Sequence, residues 1–253
     1  VPNVPYSGMV SEDIGYVALT TFTREAGKNV GDAVRALKEE NPELKGVIFD
    51  LRGNGGGLLT EAVNVSNVFI PRGEVVVTTK GKVKEWDRSF STTGTPVDTE
   101  IPLVVLINDR SASASEIVSG VMQDYDRGVL IGQRSYGKGL VQNTRDIGYN
   151  SKLKLTTAKY YIPSGRCIQS VEYEDGEPVD IPDDQRTPFK TRNGRTVLDG
   201  GGVKPDLTIK KFTDAGIVKS LAAEGAIPLA VGRSPDVARW REAHDRIRSS
   251  PRL

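Results

Sequence analysis

The chain has 253 residues, of which 37% are hydrophobic and 26% are charged, enough for one large domain or two small ones. Lys and Arg number 34, Asp and Glu number 33, and the formal net charge is +1. This balance creates no overall field that would attract nucleic acid or an anionic membrane, so selectivity must come from a local site. No apolar run approaches the roughly 20 residues that a membrane-spanning helix needs.

Two single residues narrow the chemistry. Cys167 is the only cysteine, which excludes an internal disulfide, and it has no companion His or Cys cluster that would hold a metal. The only histidine, His244, lies in an arginine-rich stretch beyond the last predicted strand. A catalytic base must come within hydrogen-bond reach of its nucleophile, so a Ser-His-Asp mechanism is disfavoured and another residue must supply any base.

Predicted strands and helices alternate along most of the chain. Residues 14–22 and 45–51 are rich in β-branched and aromatic residues, and between them apolar residues recur at helical spacing until AsnPro at 41–42. The later predicted elements are a glycine-rich turn at 53–57, an amphipathic segment at 58–70, strands near 74–79 and 82–87, a strand at 102–107, a helix from about 113 to 124, a strand near 128–132, a strand or strand pair within 151–162, and a last strand at 203–209. This order predicts an α/β fold with a mostly parallel sheet and right-handed crossovers.

A serine-rich segment, SerAlaSerAlaSerGlu at 111–116, joins the strand 102–107 to the next helix. Its small residues allow tight packing and leave a hydroxyl exposed at the junction of strand and helix, which suits a nucleophile. The simpler interpretation is a capping box formed by Ser113 and Glu116. The segment alone does not decide between the two.

Lys138 stands between two glycines after the strand near 128–132. It does not belong to a phosphate-binding loop, because the Gly-x-x-x-x-Gly-Lys-Ser/Thr spacing is absent. A lysine acts as a general base only when neutral, whereas an ordinary lysine pKa of about 10.4 keeps it charged at pH 7. Burial lowers a lysine pKa by up to about 3–5 units, so a catalytic Lys138 is expected in an apolar pocket. A loop charge without a special role is the alternative.

Gln142 lies four residues beyond Lys138, a spacing that places both side chains on one side of a strand or of a helix. Its amide could orient the amine without strongly favouring the charged form. A surface glutamine would fit the sequence equally well.

The segment AspLeuArgGlyAsnGlyGlyGly at 50–57 follows a predicted strand, where ligands bind in open α/β sheets. Glycine lets backbone N–H groups approach a substrate closely. Gly56 or Gly57 is therefore a candidate oxyanion donor, with the Ala114 N–H as the second. The spacing does not match the Gly-x-Gly-x-x-Gly turn of dinucleotide-binding proteins.

Asp124 completes no triad with Ser113, because about 16 Å of helix separates them at 1.5 Å per residue. We expect Asp124 to have a supporting role, pairing Arg127 or ordering the loop before Lys138. A helix-end carboxylate of no special role is equally compatible with the sequence.

Together these segments resemble the carboxy-terminal-processing (tail-specific) serine peptidases of the crotonase/ClpP-like superfamily. The resemblance covers about residues 14–209 in the family's order. The segments that carry it are DLRGNGGG (50–57), SASASEI (111–117), MQDY (122–125), SYGKGLVQ (135–142), AKYYIPSGR (158–166) and GGVKPD (201–206).

The resemblance implies a fold and a domain organisation. The fold is an α/β crotonase/ClpP-like core of repeated β-β-α units with a mostly parallel sheet, plus a small additional β region and a helical C-terminal tail. The peptidase core would cover 1–210, with a surface excursion at about 170–200, and the tail would cover 211–253.

The resemblance also assigns the site. The nucleophile falls on the middle serine of the cluster, Ser113, the base on Lys138 and the orienting amide on Gln142. The oxyanion donors fall on the glycine turn and on Ala114. No metal or cofactor is implied.

The activity implied is that of a serine endopeptidase that cleaves proteins at or near their C termini through an acyl-enzyme, usually outside the cytoplasm, in the bacterial periplasm or cell envelope. Its partners would be proteins or peptides with accessible C termini and no nucleic acid, and an oligomer is compatible. Family members usually carry a PDZ domain just before the segment that starts here, and no Gly-Leu-Gly-Phe-like loop is present. The chain is then an excised core or a natural short form, with a PDZ domain or adaptor as a candidate partner.

Two other functions stay open. A non-catalytic ligand-binding module of the same fold would not need Ser113, Lys138 and Gln142. An acyl-CoA enzyme of the wider superfamily would need two oxyanion N–H groups but neither Ser113 nor Lys138.

Overall fold

The computed structural model describes residues 2–170, 172–174, 177–179 and 181–210. His244 and the predicted tail at 211–253 lie outside this part of the chain. Within it, no helix is both long and apolar enough to cross a membrane. Nor do any three His, Cys, Asp or Glu side chains of these residues come together as a possible metal site.

Most of the predicted strands and helices have a counterpart in the structure, which also contains strands that were not predicted. In chain order they are β1 (Tyr6–Met9), β2 (Ile14–Ala18), α1 (Ala26–Glu40), β3 (Gly46–Asp50), α2 (Leu59–Phe69), β4 (Val75–Gly81), β5 (Arg88–Ser91), β6 (Leu103–Ile107), α3 (Ala114–Asp124), β7 (Val129–Gly132), β8 (Leu140–Gly148), β9 (Ser151–Tyr161), β10 (Glu172–Glu174), β11 (Glu177–Val179), β12 (Pro188–Lys190), β13 (Thr196–Leu198) and β14 (Leu207–Thr208). Helix α1 ends just before Asn41, as the AsnPro pair predicted.

A six-stranded sheet forms the centre of the molecule, in the order β1-β2-β3-β6-β7-β14. Only β1 is antiparallel to its neighbour, and the other pairs are parallel. The predicted mostly parallel sheet is therefore confirmed, and the last strand does return to it beside β7. Because β3 and β6 are adjacent and parallel, the glycine turn after β3 and the serine segment after β6 meet at the same edge.

Helix α3 occupies the middle of the core. All eleven of its residues are buried, so it differs from α1, which buries a single apolar stripe that includes Val30, Val34 and Leu37. Gly120 allows a close approach to α3, since a Cβ there would lie 2.6 Å from Ile162 Cδ1. The N-terminus of α3 follows the carboxyl end of β6, on the side where the serine segment lies.

A second, antiparallel sheet of order β5-β4-β9-β8 forms the additional β region. The strand predicted near 82–87 is wrong: β4 continues to Gly81, residues 84–86 form a 3-10 turn, and the next strand starts at Arg88. The turn folds back because Asp87 Oδ1 accepts the Gly81 N–H at 2.9 Å. Strand β8, which starts two residues after Lys138, pairs with β9, so the segment within 151–162 belongs to a hairpin.

Candidate active site

Ser113 stands directly before the first residue of α3 in a strained conformation, with φ 57° and ψ −114°. A non-glycine residue in such a sparsely populated region costs about 1–3 kcal/mol and persists only where its surroundings enforce it. The enforcing contacts come from the preceding loop, in which Ser111 Oγ donates to the Leu51 carbonyl at 2.8 Å and accepts the Asn108 N–H at 3.0 Å. Ser113 itself stays partly exposed.

Glu116 links the serine to the segment that carries Lys138. Its side chain is fully buried, and Oε2 accepts the N–H groups of Ser113 and Lys138, each at 2.8 Å. Oε1 accepts the Ser135 hydroxyl and the Gly137 N–H, each at 2.6 Å. One carboxylate oxygen thus holds the backbones of both predicted catalytic residues.

Burial raises the pKa of the Glu116 carboxyl above its ordinary range, and its four donors act against that rise. All four partners are donors, so the arrangement satisfies an ionised carboxylate, whose oxygens only accept. The sequence indicated half of this role, because the Ser113 to Glu116 spacing is that of a capping box. The contacts to residues 135–138 carried no sequence signal.

Lys138 does not lie in the apolar pocket that the sequence predicted. Its side chain is exposed and has no hydrogen bond or ion pair with any described residue, whereas Gly137 and Gly139 on either side are buried. The backbone is therefore fixed while the amine points outward. The flanking residues are glycines, so no neighbouring side chain in sequence covers the amine.

Within the described residues, no hydrogen bond joins Gln142 to Lys138. It is exposed on β8, where it pairs with Thr156 across a bulge in the β8 and β9 ladder. Its role as an orienting amide stays a prediction.

The glycine turn lies against the serine, as predicted. A Cβ on Gly56, whose φ is 96°, would lie 2.9 Å from both Ser113 Cβ and the Ala114 nitrogen. The Gly56 N–H is already bonded to Asn54 Oδ1 at 2.9 Å. In the part of the chain described, neither the Gly57 N–H nor the Ala114 N–H has a hydrogen-bond acceptor, which leaves these two as the better oxyanion candidates.

Asn54 is a site residue that sequence reasoning missed. It is fully buried, and its carbonyl accepts the Ala112 N–H at 3.0 Å and the Ser115 hydroxyl at 2.9 Å. Its amide nitrogen donates to the Leu19 carbonyl at 2.8 Å. Asn54 thus fastens the glycine turn to the serine segment and to the loop after β2. In the sequence, the only indication of this role was the position of Asn54 within the glycine turn.

Asp124 pairs with Arg166, and the predicted pairing with Arg127 is wrong. The carboxylate lies 2.9 Å from Arg166 Nη2, with both side chains buried, and accepts the Ser164 N–H at 2.9 Å. Arg127 instead donates to the backbone carbonyls of Phe69 and Asp98. Burial raises the pKa of Asp124 and lowers that of Arg166. Asp124 holds the turn after β9, at the opposite end of α3 from Ser113.

Comparisons with known proteins agree with this geometry. The model of Peptidase family S41 matches residues 13–178. A carboxy-terminal-processing protease of Bartonella bacilliformis is 39% identical over 209 residues, which are 82% of this chain and 47% of that protein. The carboxy-terminal processing protease CtpA of Bacillus subtilis is 32% identical over 184 residues, 73% of this chain and 39% of that protein.

Solved structures show the same fold. A photosystem II D1 C-terminal processing protease has a TM-score of 0.61 at 30% identity, over 80% of this chain and 44% of that one. An S41 protease from Bacteroides fragilis has a TM-score of 0.62 at 14% identity, over 97% of this chain and 58% of that one, which supports the fold alone.

The chain therefore belongs to peptidase family S41. Within that family its relatives are carboxy-terminal-processing proteases, as the sequence motifs predicted, and the expected fold class is confirmed. The chain spans less than half the length of the curated relatives named above.

We predict that Glu116→Gln lowers both stability and turnover. One oxygen becomes an NH2 group that must face at least one N–H donor, whichever oxygen is replaced, and each unsatisfied buried group costs about 1–3 kcal/mol. At about 2–4 °C per kcal/mol the loss is visible as a lower Tm. Because the backbones of Ser113 and Lys138 shift, kcat should fall about 10–100-fold below the Tm.

Glu61→Gln is the matched control. Glu61 is a buried carboxylate in the first turn of α2 that accepts the Gly27 N–H at 2.9 Å, away from the serine. This variant should lower the Tm and leave kcat near wild type. An equal fall in kcat for both variants, or none for Glu116→Gln, contradicts the linking role of Glu116.

Asp124→Asn should destabilise the fold strongly. It leaves the Arg166 guanidinium buried without its counter-charge, and breaking a buried pair in this way costs about 3–5 kcal/mol. A drop in Tm of about 10 °C is expected by differential scanning calorimetry. In contrast, Asp32→Asn breaks only exposed pairs with Lys28 and Arg35 and should change the Tm little. Similar Tm values for the two variants would disprove the importance of the buried pair.

Proposed function

We propose that this chain is the catalytic core of a serine endopeptidase that cleaves proteins at or near their C termini, with Ser113 as nucleophile and Lys138 as general base. The observation that carries the proposal is the single Glu116 oxygen that accepts the N–H groups of both residues. Capping a helix requires only the Ser113 contact. The further contact to Lys138 joins the backbone of the serine to the backbone of the lysine, which supports a common site for the two residues.

In the proposed reaction, Ser113 Oγ attacks the scissile carbonyl carbon while the neutral Lys138 amine accepts the hydroxyl proton. The developing oxyanion is stabilised by the Ala114 N–H, at the positive end of α3, and by the Gly57 N–H. Lys138 then gives its proton to the leaving amine, and an acyl-enzyme forms. Water hydrolyses the acyl-enzyme with Lys138 again as base. Gln142 is proposed to orient the amine once substrate is bound.

The exposure of Lys138 gives the substrate a part in the mechanism. A neutral amine is favoured where water is excluded, and the described residues leave this side chain exposed. We propose that the bound polypeptide covers the amine and supplies the missing burial. Apo structures often lack the contacts that form in the substrate complex.

The strain at Ser113 favours catalysis over a binding module of the same fold. A non-catalytic module needs no serine held at positive φ, and such strain tends to occur at active sites. An acyl-CoA enzyme would need the two unpaired N–H groups but not the Glu116 link to Lys138.

We further propose that residues 1–210 form the peptidase core and that it works outside the cytoplasm, in a bacterial periplasm or cell envelope, on polypeptides with accessible C termini. A PDZ domain or an adaptor would deliver the substrate. Family membership supports these proposals, and one relative carries the name of a chloroplastic C-terminal processing peptidase.

The dyad is tested by substitution. A fluorophosphonate probe should label the wild type and not Ser113→Ala, and cleavage of unfolded casein should be lost in the same variant. Lys138→Ala should lower kcat by about 10²–10⁴-fold. Lys138→Arg should not restore it, because a guanidinium stays protonated.

Lys152→Ala, at an exposed ion pair of the β8 and β9 hairpin, is the control and should keep wild-type turnover. Equal labelling of the wild type and Ser113→Ala would remove the nucleophile assignment. Full activity of Lys138→Arg would remove the base.

A further inference from the structure

The segment 167–170 packs against the loop that carries Lys138. A Cβ on Gly137 would lie 2.3 Å from Ser170 Cβ, and a Cβ on Gly139 would lie 2.5 Å from the Gln169 nitrogen. Both positions flanking Lys138 are therefore glycine because this segment packs directly against their backbone.

Hydrogen bonds join the two segments on each side of Lys138. The Gly137 carbonyl accepts the Ser170 N–H at 2.9 Å and the Ser170 hydroxyl at 3.1 Å. The Gly139 N–H donates to Gln169 Oε1 at 2.8 Å. The bond from Gly139 is accepted by a side-chain amide. That amide is buried, since Gln169 is only 7% exposed.

Gln169 complements Glu116. Glu116 holds the N–H groups of Gly137 and Lys138, and Gln169 holds the next N–H, that of Gly139. Three successive N–H groups are thus bound by two side chains from different parts of the chain. The Lys138 side chain has no hydrogen bond with the described residues, so these two residues fix the backbone point from which the amine extends.

The chemistry favours a neutral amide at this position. A glutamate would accept the same N–H bond, but it would add a second buried negative charge to a loop that Glu116 already holds. A leucine of similar size would leave the Gly139 N–H without an acceptor in a buried place. Glutamine accepts the bond without adding a charge.

We propose that Gln169 is a positioning residue for the reaction, which fixes the backbone beside Lys138 by accepting the Gly139 N–H. This inference rests on the proposed function of Lys138 as base. It separates the task of Gln169, which holds the backbone, from that of Gln142, whose exposed side chain is proposed to meet the amine itself.

The experiment compares Gln169→Leu and Gln169→Glu with the wild type on one fluorogenic peptide. Gln169→Leu should lower kcat about 10–100-fold with KM changed less than about 3-fold, because the base is misplaced while substrate contacts remain. Gln169→Glu keeps an oxygen that can accept the Gly139 N–H, so this variant should recover most of the loss.

Gln133→Leu is the matched control. Gln133 belongs to the same loop, and its side chain has no hydrogen bond with the described residues, so this variant should keep the wild-type kcat. If Gln169→Leu fails to fold, Gln169→Asn takes its place with the same expected loss, because its amide is one methylene too short to reach the Gly139 N–H. A kcat of Gln169→Leu or Gln169→Asn equal to that of Gln133→Leu, or a Gln169→Glu variant as slow as Gln169→Leu, overturns the inference. Absence of turnover in the wild type would instead disprove the proposed function.

Discussion

The candidate site depends on one buried carboxylate. Glu116 has lost its water, which raises its pKa, and in exchange it receives four hydrogen bonds from Ser113, Ser135, Gly137 and Lys138. No solvent remains to replace a lost partner, so the four donors must keep their places together. The relative position of the serine and lysine backbones follows from this requirement. The oxyanion candidates depend on it indirectly, because Ala114 follows Ser113 and the glycine turn packs against both.

Much of the fold could be predicted because its signals are local. Strands β2, β3 and β6 are short β-branched runs, and α1 ends at an AsnPro pair that cannot continue a helix. The sequence misplaced the strand after β4, since it could not show that Asp87 Oδ1 would bond the Gly81 N–H and fold the intervening turn back. Strand β8 was also missed, because it has mostly polar residues and is exposed along most of its length.

Only part of the candidate site could be predicted from the sequence. Motif order identified the segments, and capping-box spacing connected Ser113 to Glu116. The sequence failed where a side chain bonds the backbone of a distant segment, as Asn54 does to Leu19 and Gln169 does to Gly139. Such bonds leave no periodic pattern. The burial of Lys138 was expected because a general base must be neutral during the reaction. That requirement does not say whether the protein alone provides the buried surroundings, and the structure shows Lys138 exposed.

The central place of α3 has a further consequence. A helix enclosed on every side transmits any repacking along its length, because interiors are close-packed and adjust as units. Ser113 is attached to the end of this helix, so the backbone of the proposed nucleophile shares the rigidity of the hydrophobic interior, whereas the Lys138 side chain extends into solvent from a fixed backbone. A substitution within the central helix must therefore keep the side-chain volume or be accompanied by a second substitution that repacks against it.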